Sequence, residues 1–357
     1  MKLLLFLALT LALQELVESY NSKVPLAEAT IAFHVNVGKS NVDLLSRFLS
    51  RVYHAKNLYL VDYAPPLEAK NYEMYFRRDN IHHRGADPFV ENGVSEVINI
   101  LDGMSFFLDR EDVLSSGNRS FDYYIHCTPD YYPVVNPTHM RRVLSYAKEE
   151  YPPPNFLHFF HESQLPLFST EINHAYLDFA LAFNRSLPLS TELHSLGIIH
   201  PDANKRVFRF PRATKRLVVN HDFVKLAVDS ALSKRLLMAL GDTSHVDERF
   251  FAALVANNNL DIGKVIRSTS LQCVNSRAID TPVEKSLPDY SPKPITVEFL
   301  HKTSEPCLFA GPFMKRDTHL FRRIDKEFLI PPGTQGKPDG IGYHDLVYEK
   351  LRATITS

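Results

Sequence analysis

"ATIAFHVNVGKSNVDLLSRFLSRVYHAKNLYLVDY", residues 29–63, is the stretch that decides the fold. Residues 29–37 read as a buried strand and residues 57–63 as a second one. Between them a helix is expected from Ser40 onward, because Leu44, Leu45, Phe48, Leu49 and Val52 recur on one helical face. Strand, helix and strand at this spacing form a βαβ unit, which requires parallel strands and a right-handed crossover. In such sheets ligands bind beyond the carboxyl ends of the strands, and Asp62 stands at that end.

The same alternation continues downstream. A helix is predicted over 94–109, a strand over 121–127, a turn "TPDYYP" at 128–133 and a helix over 138–151. A strand at 216–220 then leads into one long amphipathic helix over 221–240. The class is α/β, read as one domain over 29–330 with a C-terminal tail at 331–357. The Pro, Ser and Asp rich stretch 281–294 reads as a loop or short linker rather than a domain boundary.

Met1-Lys2 followed by "LLLFLALTLAL" at 3–13 is a positive start and an apolar core too short to span a bilayer. Residues 1–19 are therefore expected to be a signal peptide or a short signal anchor, with entry into the secretory pathway. A membrane is a partner only if that segment stays uncleaved. The sequons at Asn118 and Asn184 fit a luminal or extracellular site of action. Cys127, Cys273 and Cys307 leave two readings open, one disulfide with a single thiol or three buried thiols. A formal net charge of −1 gives no global reason to expect nucleic acid as a partner.

Two carboxylates, Asp247 and Glu248, head the helical pattern of "SHVDERFFAALVANNNLD", 244–261. Ser244 or Asp247 is expected to cap that helix. The run "KRVFRFPRATKR" at 205–216 carries six cations and no acid, a surface able to hold phosphates or an anionic glycan. His158 and His161 in "HFFHES" lack the H-E-x-x-H spacing, and no Cys/His pattern suggests zinc, so no metal site is expected.

Several stretches, in order, resemble the core-2/I-branching glycosyltransferase family, closer to its peptide O-xylosyltransferase branch. They are residues 31–63, "FDYYIHCTPDYYPVVNPTHMRRVLS", the Asn-Phe-Leu of "PPNFLHFFHES", "RLVVNHDFV", "DERFFAALVANN" and "EFLHKTSEPCLFAGPF". The resemblance implies a GT-A-like fold, a UDP-sugar donor and an inverting transfer without a metal or other cofactor. The absence of any Asp-x-Asp agrees with this. It places the general base on Glu248, leaving Asp247 as the cap, and offers Asp130, one position ahead of the family's Asp-Tyr-Pro aspartate, as the rival acid. Asp62 is the implied contact to uracil or ribose, and Glu162 an acceptor contact.

One departure is serious. Where the family commonly reads Phe-Ala-Arg-Lys-Phe, this chain has Gly311 and Pro312, so the diphosphate cations are sought in Lys315, Arg316 and Arg323. The implied activity is transfer of xylose or N-acetylglucosamine from a UDP-sugar to a hydroxyl of a protein or glycan acceptor in the Golgi or ER lumen. The alternative is a secreted relative without catalysis that binds a glycan or a protein.

Overall fold

A computed structural model describes residues 28–38, 40–63, 73–85, 89–113, 120–159, 174–178, 180, 194–198, 208–258, 266–267, 269, 271–273, 295–303, 306–329, 347 and 349–353. The N-terminal segment 1–19, Asn118, Glu162 and Asn184 lie outside them. In chain order the elements are β1 (Ile31–Val37), α1 (Leu45–Val52), β2 (Leu58–Tyr63), β3 (Ile81–Gly85), α2 (Val94–Val113), β4 (Tyr123–Cys127), β5 (Tyr132–Pro133), α3 (Pro137–Lys148) and β6 (Asn155–Phe156). There follow β7 (His174–Leu177), β8 (His194–Ile198), β9 (Val218–Asn220), α4 (His221–Asp229), α5 (Ala231–Leu240), α6 (Val246–Ala256) and β10 (Ile266–Arg267). The last are β11 (Gln272–Cys273), α7 (Val297–Lys302), β12 (Phe309–Ala310) and α8 (Thr318–Glu327).

Seven strands form the main sheet in the order β10-β6-β9-β4-β1-β2-β3. β1 is parallel to β2 and to β4, and only β9 runs against its neighbours. The expected βαβ unit is present, and the α/β architecture is a mostly parallel mixed sheet with helices on both faces. Chain order runs outward from β1 in both directions, to β2 on one side and to β4 on the other. The crevice outside their carboxyl ends is thus the switch point at which ligands bind in open α/β sheets.

Period-two alternation divides β1 between two cores. Ile31, Phe33, Val35 and Val37 join one packed cluster with Phe48, Tyr59, Val61 and Ile125. Ala32 joins the other, with Leu60, Tyr124 and the apolar sides of α2, α4, α5 and α6. On that second face the strands change character along their length, from Ala32 and Leu60 to His34, Asn36, Asp62 and His126, all buried. Burial of polar groups is tolerated only where each finds a partner or a ligand, so this gradient marks the carboxyl ends as more than packing. Gly103 of α2 is required there: a Cβ would lie 2.2 Å from the Nδ1 of His34. A mid-helix glycine costs roughly 1 kcal/mol against alanine, and here it lets α2 lie against β1.

The helix expected over 221–240 is broken. Ser230 adopts an extended conformation (φ −72°, ψ 143°), ending α4 and capping α5, with its hydroxyl accepting from Ser233 N at 3.0 Å. A second correction concerns α6. Neither Ser244 nor Asp247 caps it; the N-cap is His245 in the left-handed region (φ 53°) with no side-chain cap bond.

A smaller sheet, β11-β12-β5, packs beside the main one. The disulfide Cys273–Cys307 ties its strands together, which settles the open cysteine question; Cys127 keeps a buried thiol that donates to the His34 carbonyl at 3.6 Å. Val347 and Leu351, within the segment read as a tail, are buried in the same core as Phe33.

Candidate functional site

Asp62 ends β2 with its side chain 1% exposed. One oxygen accepts from His34 Nε2 at 2.9 Å, and both accept from Arg84, Nε at 2.7 Å and an Nη at 2.9 Å. Register explains the meeting: Asp62 stands opposite Arg84 on β3 and Asn36 on β1, one pleat from His34. Burial alone would raise this carboxyl, but the hydrogen bonds and charges of His34 and Arg84 outweigh it and hold the group down at about 2. His34 passes the chain on through Nδ1 to the Tyr124 hydroxyl at 2.7 Å.

One strand over, Asn36 Nδ2 donates to Asn99 Oδ1 at 2.7 Å and lies 3.1 Å from His126 Nε2. His126 is buried, and its basicity falls well below the ordinary histidine range, through burial first and then the nearby His34 and the positive charges of Lys215 and Arg216, a fall that a hydrogen bond to the Lys215 backbone offsets only in part. Lys215 reaches this point because β9 runs antiparallel to β4, so the residues entering β9 cross the carboxyl end of β4. Of the basic run, Arg212, Lys215 and Arg216 all turn inward here.

Lys215 Nζ lies 3.0 Å from Glu96 Oε1, 3.4 Å from Asp247 Oδ2 and 3.5 Å from Glu91 Oε1. Burial and the Asp247 charge push Glu96 up to about 7 despite the pull of Lys215. Lys215 itself stays protonated, since the surrounding carboxylates outweigh its own burial and raise its pKa. Glu248, next along α6, pairs with Arg212 and keeps 23% of its side chain exposed. Asp247 is the buried member of the two carboxylates and Glu248 the accessible one. Both lie in the first turn of α6, where the helix dipole favours negative charge.

Asp130 completes the rim. Its Oδ1 accepts from Asn41 Nδ2 at 3.2 Å, and the neighbouring Tyr131 ring lies 3.6 Å beneath the Arg216 guanidinium. The Gly311-Pro312 departure has a steric cause. Gly311 packs on the Asp130–Tyr131 backbone, where a Cβ would sit 2.7 Å from the Asp130 carbonyl, and Phe313 N donates to that carbonyl at 2.8 Å. No arginine fits at 311 in this arrangement.

The structure therefore strings Asp130, Tyr131, Arg216, Lys215, Asp247, Glu248 and Arg212 along one edge, with Asp62 behind His34 and His126. Lys315, two residues beyond the Phe313 N–H that bonds the Asp130 carbonyl, is exposed and bonded to Asp43 Oδ2 at 2.9 Å, and Arg316 is exposed beside it. Arg323 on α8 is paired with Glu298 and Glu327, none of which touches this edge. Sequence reasoning had no signal for Glu96, His34, Arg84 or His126 as site residues. It noted Lys215 and Arg212 only as members of a basic surface. Among the described residues no group of three or more His, Cys, Asp or Glu side chains is gathered to hold a metal ion.

No family model matches the chain, and no curated protein does. Among solved structures it is distantly similar to a cytidylyltransferase from Leptospira borgpetersenii serovar Hardjo-bovis, at 9% identity and a TM-score of 0.27, over 58% of this chain and 67% of that one. The class defined by the sheet is an α/β fold with a seven-stranded, mostly parallel mixed sheet flanked by helices.

Proposed function

We propose that the protein is an inverting glycosyltransferase of the core-2/I-branching family, moving xylose or N-acetylglucosamine from a UDP-sugar to a hydroxyl of a protein or glycan. The observation that carries the reading is the position of Glu248: a partly exposed carboxylate at the head of α6, ion-paired with Arg212 on the carboxyl-end crevice. An in-line displacement needs a base for the acceptor proton and cations for the departing diphosphate. Glu248 is the base. Arg212, drawn to the diphosphate when donor binds, leaves Glu248 able to take the proton. Arg216, with Lys315 and Arg316 at the rim, supplies the remaining charge that Gly311 and Pro312 do not. Asp62 holds the nucleotide through the edge it shares with Arg84, and Asp130 sits at the acceptor side. The route through the secretory pathway to the Golgi or ER lumen is supported by the N-terminal segment, the two sequons and the disulfide, a bond of oxidising compartments.

A second reading, a binding protein without catalysis, is favoured by two observations: Arg212 occupies Glu248, and a side chain at position 311 would clash with the Asp130 carbonyl. Calorimetry with UDP, with and without EDTA, followed by turnover of UDP-xylose and UDP-N-acetylglucosamine, separates the two. Glu248→Gln is expected to retain donor binding and lose roughly 10²- to 10⁴-fold in kcat. Binding of UDP with no turnover by the wild-type chain selects the second reading; no binding of UDP at millimolar ligand defeats the first.

A further inference from the structure

We propose that Asp247, Lys215 and Glu96, with Asn36 behind them, form a subsite for the hydroxyl groups of a neutral sugar, just inside Glu248. The proposal rests on the nucleotide-sugar reading above and gives it a sugar-recognition element. Asp247 is 2% exposed, yet no hydrogen-bond donor among the described residues reaches either of its oxygens. Lys215 stands 3.4 Å from Oδ2 but directs its hydrogen bonds to Glu96 and Glu91. On the strand ends Asn36 Oδ1 is also buried, with no hydrogen-bond partner among the described residues.

Buried polar atoms left unpaired are costly, and native proteins keep them where a ligand or bound water completes them. These atoms share a chemistry. Asp247 and Asn36 offer acceptors and Lys215 a charged donor. A hydroxyl donates to a carboxylate and accepts from an ammonium at once, so a polyhydroxylated ring matches the set. An anion does not: Asp247 and Glu91 already stand against the one ammonium of Lys215 and repel it. An apolar group would leave every one of these atoms unpaired. The arrangement thus separates the crevice into a cationic part at Arg212 and Arg216 and a hydroxyl-binding part at Asp247.

The test is calorimetry on the full chain with UDP, UDP-xylose, UDP-glucose and UDP-N-acetylglucosamine, and with free xylose and N-acetylglucosamine. At least one sugar nucleotide is expected to bind about tenfold or more tightly than UDP, and that gain is expected to vanish in Asp247→Asn and to shrink in Glu96→Gln. Circular dichroism checks that each variant folds; should Asp247→Asn not fold, the wild-type gain and its response to Glu96→Gln decide. A chain that binds UDP but gains nothing from any sugar, or whose gain survives the substitutions, overturns the subsite and leaves the nucleotide reading standing. A chain blind to UDP that still binds a free sugar, with the binding lost in Asp247→Asn, keeps the subsite and overturns the nucleotide reading. A chain that binds neither overturns both.

Discussion

Two polar clusters lie on the same face of the same sheet, and they are built on opposite terms. Around Asp62 every strong acceptor is answered: His34 and Arg84 supply three hydrogen bonds to one buried carboxylate, and Tyr124 supports His34 from behind. Around Asp247 the charges are present but the hydrogen bonds are not, and Asn36 Oδ1 and both Asp247 oxygens are buried with no hydrogen-bond partner among the described residues. Residue type does not distinguish the clusters, since both mix acid, base and histidine. Satisfaction does. The first behaves as structure, which a ligand reaches only through Arg84, whose side chain is 38% exposed; the second is arranged to receive something.

The most severe way to break this contrast is Asp62→Asn. Removing one partner of a buried ion pair leaves Arg84 and His34 uncompensated and is expected to cost roughly 3–5 kcal/mol in urea unfolding at neutral pH. The wild-type pH profile reads the same interaction independently. A carboxyl held at about 2 against an ordinary 3.8 stabilises the fold fully above the ordinary value and loses that contribution as pH falls toward 2, on the order of 2 kcal/mol. A loss under about 1 kcal/mol in Asp62→Asn would place Asp62 with the ligand-receiving cluster instead.

Glu96 tests the other side with the opposite sign. Its carboxyl is raised to about 7, so the folded protein holds a proton that the unfolded chain has already released, and stability falls as pH rises from 4.5 to 7. Glu96→Gln removes that slope. Relative to the variant, the wild-type protein is expected to lose on the order of 1–3 kcal/mol between pH 5 and pH 8 in paired denaturant titrations. Parallel profiles would mean that the cluster is as well compensated as the one around Asp62.

What was legible in the sequence follows from which signals are local. The β1-α1-β2 unit was readable because alternation and helical spacing are properties of neighbours. The break at Ser230 was not, because the apolar pattern runs through it on both sides and only tertiary packing of α4 against α5 turns the chain. The cap of α6 was misread because His245 closes the helix start with a left-handed backbone, a conformation that residue type alone does not announce. Asp62 was visible as a strand-end acid, but Arg84 and His34 became its partners only through register across three strands. Lys215 was visible as one cation among six; its inward turn depends on β9 running antiparallel to β4. The departure at Gly311 was plain in the sequence, while its cause, the carbonyl of Asp130, belongs to another part of the chain.

That packing gives a third, smaller test of the boundary between framework and crevice. Gly311→Ala would set a Cβ 2.7 Å from a backbone oxygen that also accepts from Phe313 N, and a backbone carbonyl does not yield as a flexible side chain would. A cost of about 1–3 kcal/mol in thermal or urea unfolding is expected. A neutral result would show that Asp130 and its turn give way readily, and would move them from framework to adjustable rim.

Lys315→Ala carries the smallest expected effect on stability and the sharpest bearing on where the crevice ends. The side chain is 74% exposed and its partner Asp43 is 57% exposed, so solvent screens the pair and its removal should change unfolding by less than about 0.5 kcal/mol. Any consequence for UDP affinity would then be direct. If Arg212 and Arg216 carry the diphosphate alone, Lys315→Ala binds UDP as the wild-type chain does. A tenfold loss would instead extend the cationic part of the crevice past Asp130 to the rim, making the loop after Gly311 and Pro312 the source of the charge those two positions lack.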